Sequence, residues 1–300
     1  MRNEASKFAY QVPLRKQSGR RHGAFRVLWF VSVCAASSAN TTTGSDALWT
    51  KHPCGQTQFI PRIINGLRAP ENRYPWVVLV QARDEVKKLT GICGGTIITS
   101  KHVLTAGHCL FLHGERSQLS VLYGHTTLAL SRRISVIGAE LHPRYDDKTL
   151  KNDIAVLELS RKLKFSDHVQ PVCLPTEDFP PLPGTVGIVA GWGYTSESGQ
   201  QHRNPYLLYV TQVIKGPEYC KAKMEGYYYS PSTAFCAYRY SYDACQGDSG
   251  GGLMVLHDER WYTVGIISYG VGCATPGMPG VYTDVTRYVG WLRHALRDYL

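Results

Sequence analysis

The sequence has no pair of cysteines spaced C-x-x-C. That spacing is shared by zinc ribbons and redox dithiols, so neither a metal site nor a thioredoxin-like centre is expected. It has no repeat of solenoid period either, which sets aside stacked-repeat architectures. Its clearest apolar run, VLWFVSVCAA at residues 27–36, is about half of the roughly 20 residues that a membrane-spanning helix needs. Acidic residues are scarce at the front: residues 1–62 hold two Asp/Glu against nine Lys/Arg. That segment therefore carries seven of the ten net positive charges of the chain, leaving +3 for residues 63–300. A basic groove for nucleic acid on the body is not expected.

What the front end does have is the layout of a targeting segment. Arg20, Arg21 and Arg26 precede the apolar run, and SSA at 37–39 supplies the small residues preferred by signal peptidase. Residues 1–39 are expected to be a signal peptide cut near Ala39. The long basic stretch ahead of the run leaves a signal anchor as the alternative; otherwise no membrane partner is expected. Asn40-Thr41-Thr42 is a sequon, making Asn40 a glycosylation candidate in a secreted, extracellular chain. Of the nine cysteines, Cys34 lies in the apolar run and would leave with it. The remaining even number in a secretory chain predicts four disulfides, with about 105 connectivities that counting cannot choose between.

Residues 40–62 are polar and turn-rich, the composition of a linker or propeptide. From residue 63 onward, short β-branched runs alternate with Gly and Pro. WVVLVQA (76–82), GTIITS (95–100), HVLTA (102–106), DIAVLEL (153–159), GIVAGW (187–192), YVTQVI (209–214), GLMVL (252–256) and YTVGIISYG (262–270) read as strands. Many short strands at near-regular spacing predict an all-β sandwich or barrel in one domain. Only the tail, RYVGWLRHAL (287–296), has helical spacing, with Val289, Leu292 and Leu296 on one face.

Three stretches carry chemistry together. A serine hydroxyl is a poor nucleophile and needs an adjacent base that is itself oriented by a third group. LTAGHC offers His108, NDIAVLEL offers Asp153 and CQGDSGGGL offers Ser249. Taken singly each has an ordinary reading: a packed histidine, a strand-capping aspartate, a glycine-rich linker. Their order, His then Asp then Ser, differs from that of subtilisin-like enzymes and α/β-hydrolases.

With these flanks the sequence resembles the chymotrypsin-like serine proteases of trypsin type across residues 63–300. The resemblance implies two six-stranded antiparallel β-barrels with a C-terminal helix. It implies that His108 takes the proton of Ser249, that Asp153 holds the imidazole, and that the amides of Gly247 and Ser249 form an oxyanion hole. FIPRIING implies a zymogen cut between Arg62 and Ile63 by another trypsin-like protease, the new amine of Ile63 then pairing with Asp248. The family pattern pairs Cys54 with Cys173, Cys93 with Cys109, Cys220 with Cys236 and Cys245 with Cys273. The first of these would keep the propeptide attached. Asp243, six residues before Ser249, stands where trypsin-like members place the carboxylate of the primary pocket, with Ser268, Gly270 and Gly280 around it. Substrates with Arg or Lys before the cut bond follow, since a buried carboxylate is satisfied by such a side chain. Protein protease inhibitors are the other implied partners, and no cofactor or metal is implied.

The departures are as informative. Gly187 and Val255 stand where a further family disulfide would be, so packing has to replace about 2–5 kcal/mol. Tyr269 replaces a tryptophan and Gly252 a proline. HTTLALSRRIS (125–135), where some members bind calcium, has no carboxylate; Arg132 and Arg133 make it a weakly basic, solvated loop, or an exosite. Pro279 is associated with members that lack a sodium site. The alternative to an enzyme is an inactive homologue acting as an extracellular binding module, against which stands the retention of Ser249, His108 and Asp153.

Overall fold

The computed structural model describes residues 53–57, 67–84, 86–112, 114–180, 182–193, 204–239, 247–271 and 275–297. Arg62, Ile63, Asp243, Cys245, Cys273 and Asn40 lie outside them, and so does the signal segment. The regular structure of the described chain is mostly β. Strands β2 (Val77–Asp84), β3 (Leu89–Ile97), β4 (His102–Thr105), β7 (Gln118–Tyr123), β8 (Arg132–Leu141) and β9 (Ala155–Leu159) close into a barrel in the order β2-β3-β4-β9-β8-β7. Two-residue strands β1 (Leu67–Arg68), β5 (Phe111–Leu112) and β6 (Glu115–Arg116) lie beside these longer ones in the chain.

The second half folds into a seven-stranded antiparallel sheet. It contains β10 (Val186–Gly191), β11 (Leu208–Val213), β12 (Ala234–Ala237), β13 (Gly252–His257), β14 (Arg260–Tyr269) and β15 (Gly280–Asp284), ordered β1-β11-β10-β13-β14-β15-β12. A single bridge from Ile214 to Ala237 brings the end of β11 back to β12. Six strands therefore curl into a second, looser barrel, and β1 sits outside it. Both halves are mostly β-branched and aliphatic on their inward faces, as the alternation in the sequence requires. Val78, Ile97, Val103, Val121 and Leu157 fill the first, while Leu253, Val264 and Tyr282 lie in a cluster of the second.

Several sequence expectations are corrected. β8 begins at Arg132, so Arg132 and Arg133 are strand residues rather than loop; Arg133 donates to Ser120 Oγ (2.9 Å) on the neighbouring β7 and to Gln81 Oε1 (2.5 Å) on β2, one strand farther. GTIITS is strand only as far as Ile97, after which the chain turns. A helix absent from the sequence reading, α1 (Pro217–Lys223), has proline in its first turn, Glu218 at the start and Lys221 and Lys223 at the end, the charge order favoured by the helix dipole. The tail forms α2 (Val289–Ala295) after a 3-10 turn that Asp284 caps by accepting from the Thr286 amide at 3.1 Å. Val289, Leu292 and Leu296 are buried on one face of it.

Disulfides join Cys54 to Cys173, Cys93 to Cys109 and Cys220 to Cys236. Gly187 and Val255 fall opposite one another in the β10–β13 pairing, one step beyond Ile188 and Met254. A Cβ at position 187 would lie 2.4 Å from a methyl of Leu253. An aliphatic side chain thus fills the space where the family carries a cross-link, and burial stands in for it.

Candidate active site

His108 sits in the short 3-10 turn Gly107–Leu110 that follows β4, and Asp153 lies just before β9, the strand paired with β4. The pairing of Thr105 with Ala155 fixes both segments at one edge of the first barrel. Asp153 is fully buried. It accepts from the His108 amide through Oδ1 at 2.9 Å, and Oδ2 lies 2.8 Å from His108 Nδ1. Two contacts from one carboxylate fix both the backbone and the ring of the histidine. With an ionised carboxylate at Nδ1, the ring proton belongs there, and Nε2 carries the lone pair of the neutral form.

Ser268 and Thr283 complete the surroundings of Asp153. Ser268 Oγ donates to Oδ2 at 2.5 Å, and Thr283 Oγ1 donates to the Asp153 backbone carbonyl at 2.9 Å. Both come from the second sheet, on β14 and β15. The buried carboxylate of one half is therefore satisfied partly by hydroxyls of the other, as a buried charge requires. Ser268, expected as a lining residue of the primary pocket, thus also bonds its hydroxyl to Asp153. Nothing in the flanks of Ser268 or Thr283 announces these roles in the sequence. Gly270 is exposed at the end of β14 and Gly280 is buried, paired with Ala237.

The segment carrying Ser249 is bound to the first barrel. The Gly94 amide donates to the Ser249 carbonyl at 2.7 Å, and Cys109 Sγ lies 3.5 Å from the same oxygen. The Cys93–Cys109 disulfide thus braces the turn that carries His108 and abuts the backbone of Ser249. Gly250 has φ +85°, and a Cβ there would meet Thr105 Oγ1 at 2.3 Å and the Gly94 carbonyl at 2.6 Å. Gly247 has φ +94°. Both are backbone states that favour glycine, so the run of glycines around Ser249 is a demand of close packing rather than of flexibility. Asp248 accepts from the Gly193 amide at 2.7 Å.

Burial disfavours the imidazolium of His108, but the hydrogen bond to Asp153 and the carboxylate's charge outweigh it, so its pKa stands above the ordinary 6.5. Tyr269, at the end of β14, donates its hydroxyl to the Tyr228 carbonyl, and burial pushes its phenol up to about 12. Among the described residues the one close cluster of metal-ligating types is Cys93, His108 and Cys109. Its two sulfurs are bonded to each other, so it has no thiolate to offer a metal. No helix among the described residues is long and apolar enough to cross a membrane.

A carboxylate-held histidine and a serine on a tightly turned glycine loop, gathered where a closed barrel meets a second curled sheet, agree with a comparison to protein families: the family model described as Trypsin matches residues 63–292, and the chain belongs to the trypsin family of serine proteases.

Proposed function

We propose that the chain is a secreted serine endopeptidase zymogen that cleaves after Arg or Lys once it is itself cut after Arg62. Residues 1–39 are its signal peptide, 40–62 a propeptide tethered through Cys54, and 63–300 the peptidase domain. The observation that carries the reading is the double hold of Asp153 on His108, at 2.8 and 2.9 Å. It points the basic Nε2 away from the carboxylate, free to take the Ser249 proton as the hydroxyl attacks the substrate carbonyl. The same nitrogen then returns that proton to the leaving amine. The amides of Gly247 and Ser249 stabilise the oxyanion.

Asp243 reads the basic side chain through a charge-assisted hydrogen bond, with Arg favoured by its fork of donors. The Ile63 amine pairs with Asp248 and gates the oxyanion hole. Protein substrates, an activating protease and protein inhibitors are the partners. The test is cleavage of a peptide library by the chain cut at Arg62. The expected result is cleavage after Arg and Lys, abolished in Ser249→Ala and losing its basic preference in Asp243→Ser. A basic preference that survives Asp243→Ser overturns the assignment of that pocket; cleavage that survives Ser249→Ala overturns the mechanism.

A further inference from the structure

A cavity of about 360 Å³ opens on the second sheet, walled by Phe179, Leu182, Ile214, Pro217 and Phe235. None of its lining residues is among those that hold His108, Asp153 or Ser249. Its size falls in the range of about 300–1,000 Å³ typical of ligand sites, room enough for an indole and more. We propose that this cavity is the docking site of the chain's own Leu48–Trp49, the segment just ahead of the Cys54 anchor.

The wall of the cavity runs directly into that anchor. The ring of Phe179 lies 5.0 Å from that of Tyr262, Tyr262 forms an isolated bridge with Cys173, and Cys173 is bonded to Cys54 with the Cα atoms 4.9 Å apart. Cys54, Cys173, Leu182, Ile214 and Phe235 belong to one apolar cluster, with Phe179 packed against it. The cavity and the tether are thus parts of one surface.

The anchor is also held by more than sulfur. The Gly55 amide donates to the Pro171 carbonyl at 2.8 Å, the Trp261 amide donates to the Gly55 carbonyl at 2.9 Å, and Arg260 Nη1 donates to the Cys54 carbonyl at 3.3 Å. The point from which the upstream chain departs is fixed. Trp49 stands five positions before Cys54 in sequence, and five residue steps of about 3.3–3.6 Å each reach about 17 Å. The contacts from Cys54 to Phe179 run through Cys173 and Tyr262.

The upstream sequence, GSDALWTKH at 44–52, sets one large apolar pair in a polar segment. A tryptophan buries about 150–250 Å² when it docks, which makes it the strongest anchor that this stretch contains. Asp46 and Lys51 flank the pair, and the cavity lining has charges of both signs, in Glu177, Lys215, Asp284 and Arg287. The docking rests on the Cys54–Cys173 bond and the cavity, and holds whether or not Ser249 is a nucleophile.

The test is photochemical, on the full-length Ser249→Ala chain with Trp49 replaced by p-benzoylphenylalanine. After irradiation and digestion, mass spectrometry is expected to find position 49 joined within the same chain to the cavity wall, at Phe179, Leu182, Phe235 or their immediate neighbours. The same photolabel at Thr43, six residues farther from the tether, measures the background and is expected to give at least several-fold less of these products. Cross-links from position 49 to other surfaces, products that join two chains, or a yield at the cavity no higher than that from position 43 would each overturn the proposal.

Discussion

The last glycine of CQGDSGGGL, Gly252, stands where proline is usual in this family, and the structure gives the reason. A Cβ at this position would lie 2.6 Å from Thr263 Oγ1 and 2.7 Å from Thr96 Oγ1. Both threonines are buried, one from each half of the molecule, on β14 and β3. Two hydroxyls therefore occupy the space that a side chain would need, and neither is the far end of a flexible chain that could swing away. The perturbation is Gly252→Ala, made in a Ser249→Ala background so that self-digestion plays no part. Overpacking a rigid core by one methyl destabilises by about 1–3 kcal/mol. For a domain of this size each kcal/mol shifts Tm by about 2–4 °C, so a fall of about 2–12 °C is expected. Removing the obstructing hydroxyls with Thr96→Ala and Thr263→Ala should recover most of the loss specific to Gly252→Ala. The non-additivity expected for groups in contact is about 0.5–3 kcal/mol. The assay is thermal unfolding followed by circular dichroism, at one scan rate for all variants. A Tm for Gly252→Ala within about 1 °C of the parent, or strictly additive losses in the combined variant, would refute the steric account.

Three further outcomes follow from the charges. His108 must be neutral to act as a base and its pKa is raised, so the acid limb of kcat/KM should lie above about 6.5; Asp153→Asn should move that limb down as well as slow the reaction, and an unmoved limb would count against the pair. Burial lowers the pKa of His102 to about 4, its Nδ1 lying 2.7 Å from Thr99 Oγ1. The folded state thus holds this ring neutral: its contribution is present above about 6.5 and is lost as pH falls towards 4, amounting to about 3 kcal/mol. Urea unfolding at pH 7 and pH 4 should show that loss in the parent and a smaller one in His102→Gln. The Ile63 amine, pKa about 8 when free, should be raised by pairing with Asp248, so that its stabilisation is full below the free value and fades as pH rises through the paired one. Activity of the cut enzyme should fall reversibly in alkali, and a flat profile would exclude the ion pair as the gate.

Much of the framework was legible because it depends on local periodicity. Val77–Ala82, Ala155–Leu159 and Val186–Gly191 alternate or run apolar with turn residues at their ends, which is enough to identify a strand without knowing its partner. β8 was not legible: its inward positions alternate from Ile134 to Gly138 but slip by one at Ala139, after its pairing register shifts between Val136 and Gly138, and the apolar Ile137 faces outward, so the residues of RRISVIGAEL do not alternate apolar and polar. β12 is four residues long and α1 buries only Cys220, too little for either to leave a periodic mark. His108, Asp153 and Ser249 could be picked out from their flanks and their order, which belong to the sequence.

The sequence by itself determined the chemical vocabulary of this protein: an even set of cysteines beyond the apolar run, eight strands, and a histidine, an aspartate and a serine in a telling order. Tertiary structure alone decided how that vocabulary is used. Ser268 reaches Asp153 across 115 residues of chain, Leu253 fills the place of an absent disulfide beside Gly187, and two threonines from different halves leave room only for glycine at 252. Each of these is a contact between segments distant in sequence, set by how two curled sheets meet, and no local pattern of residues encodes such a meeting.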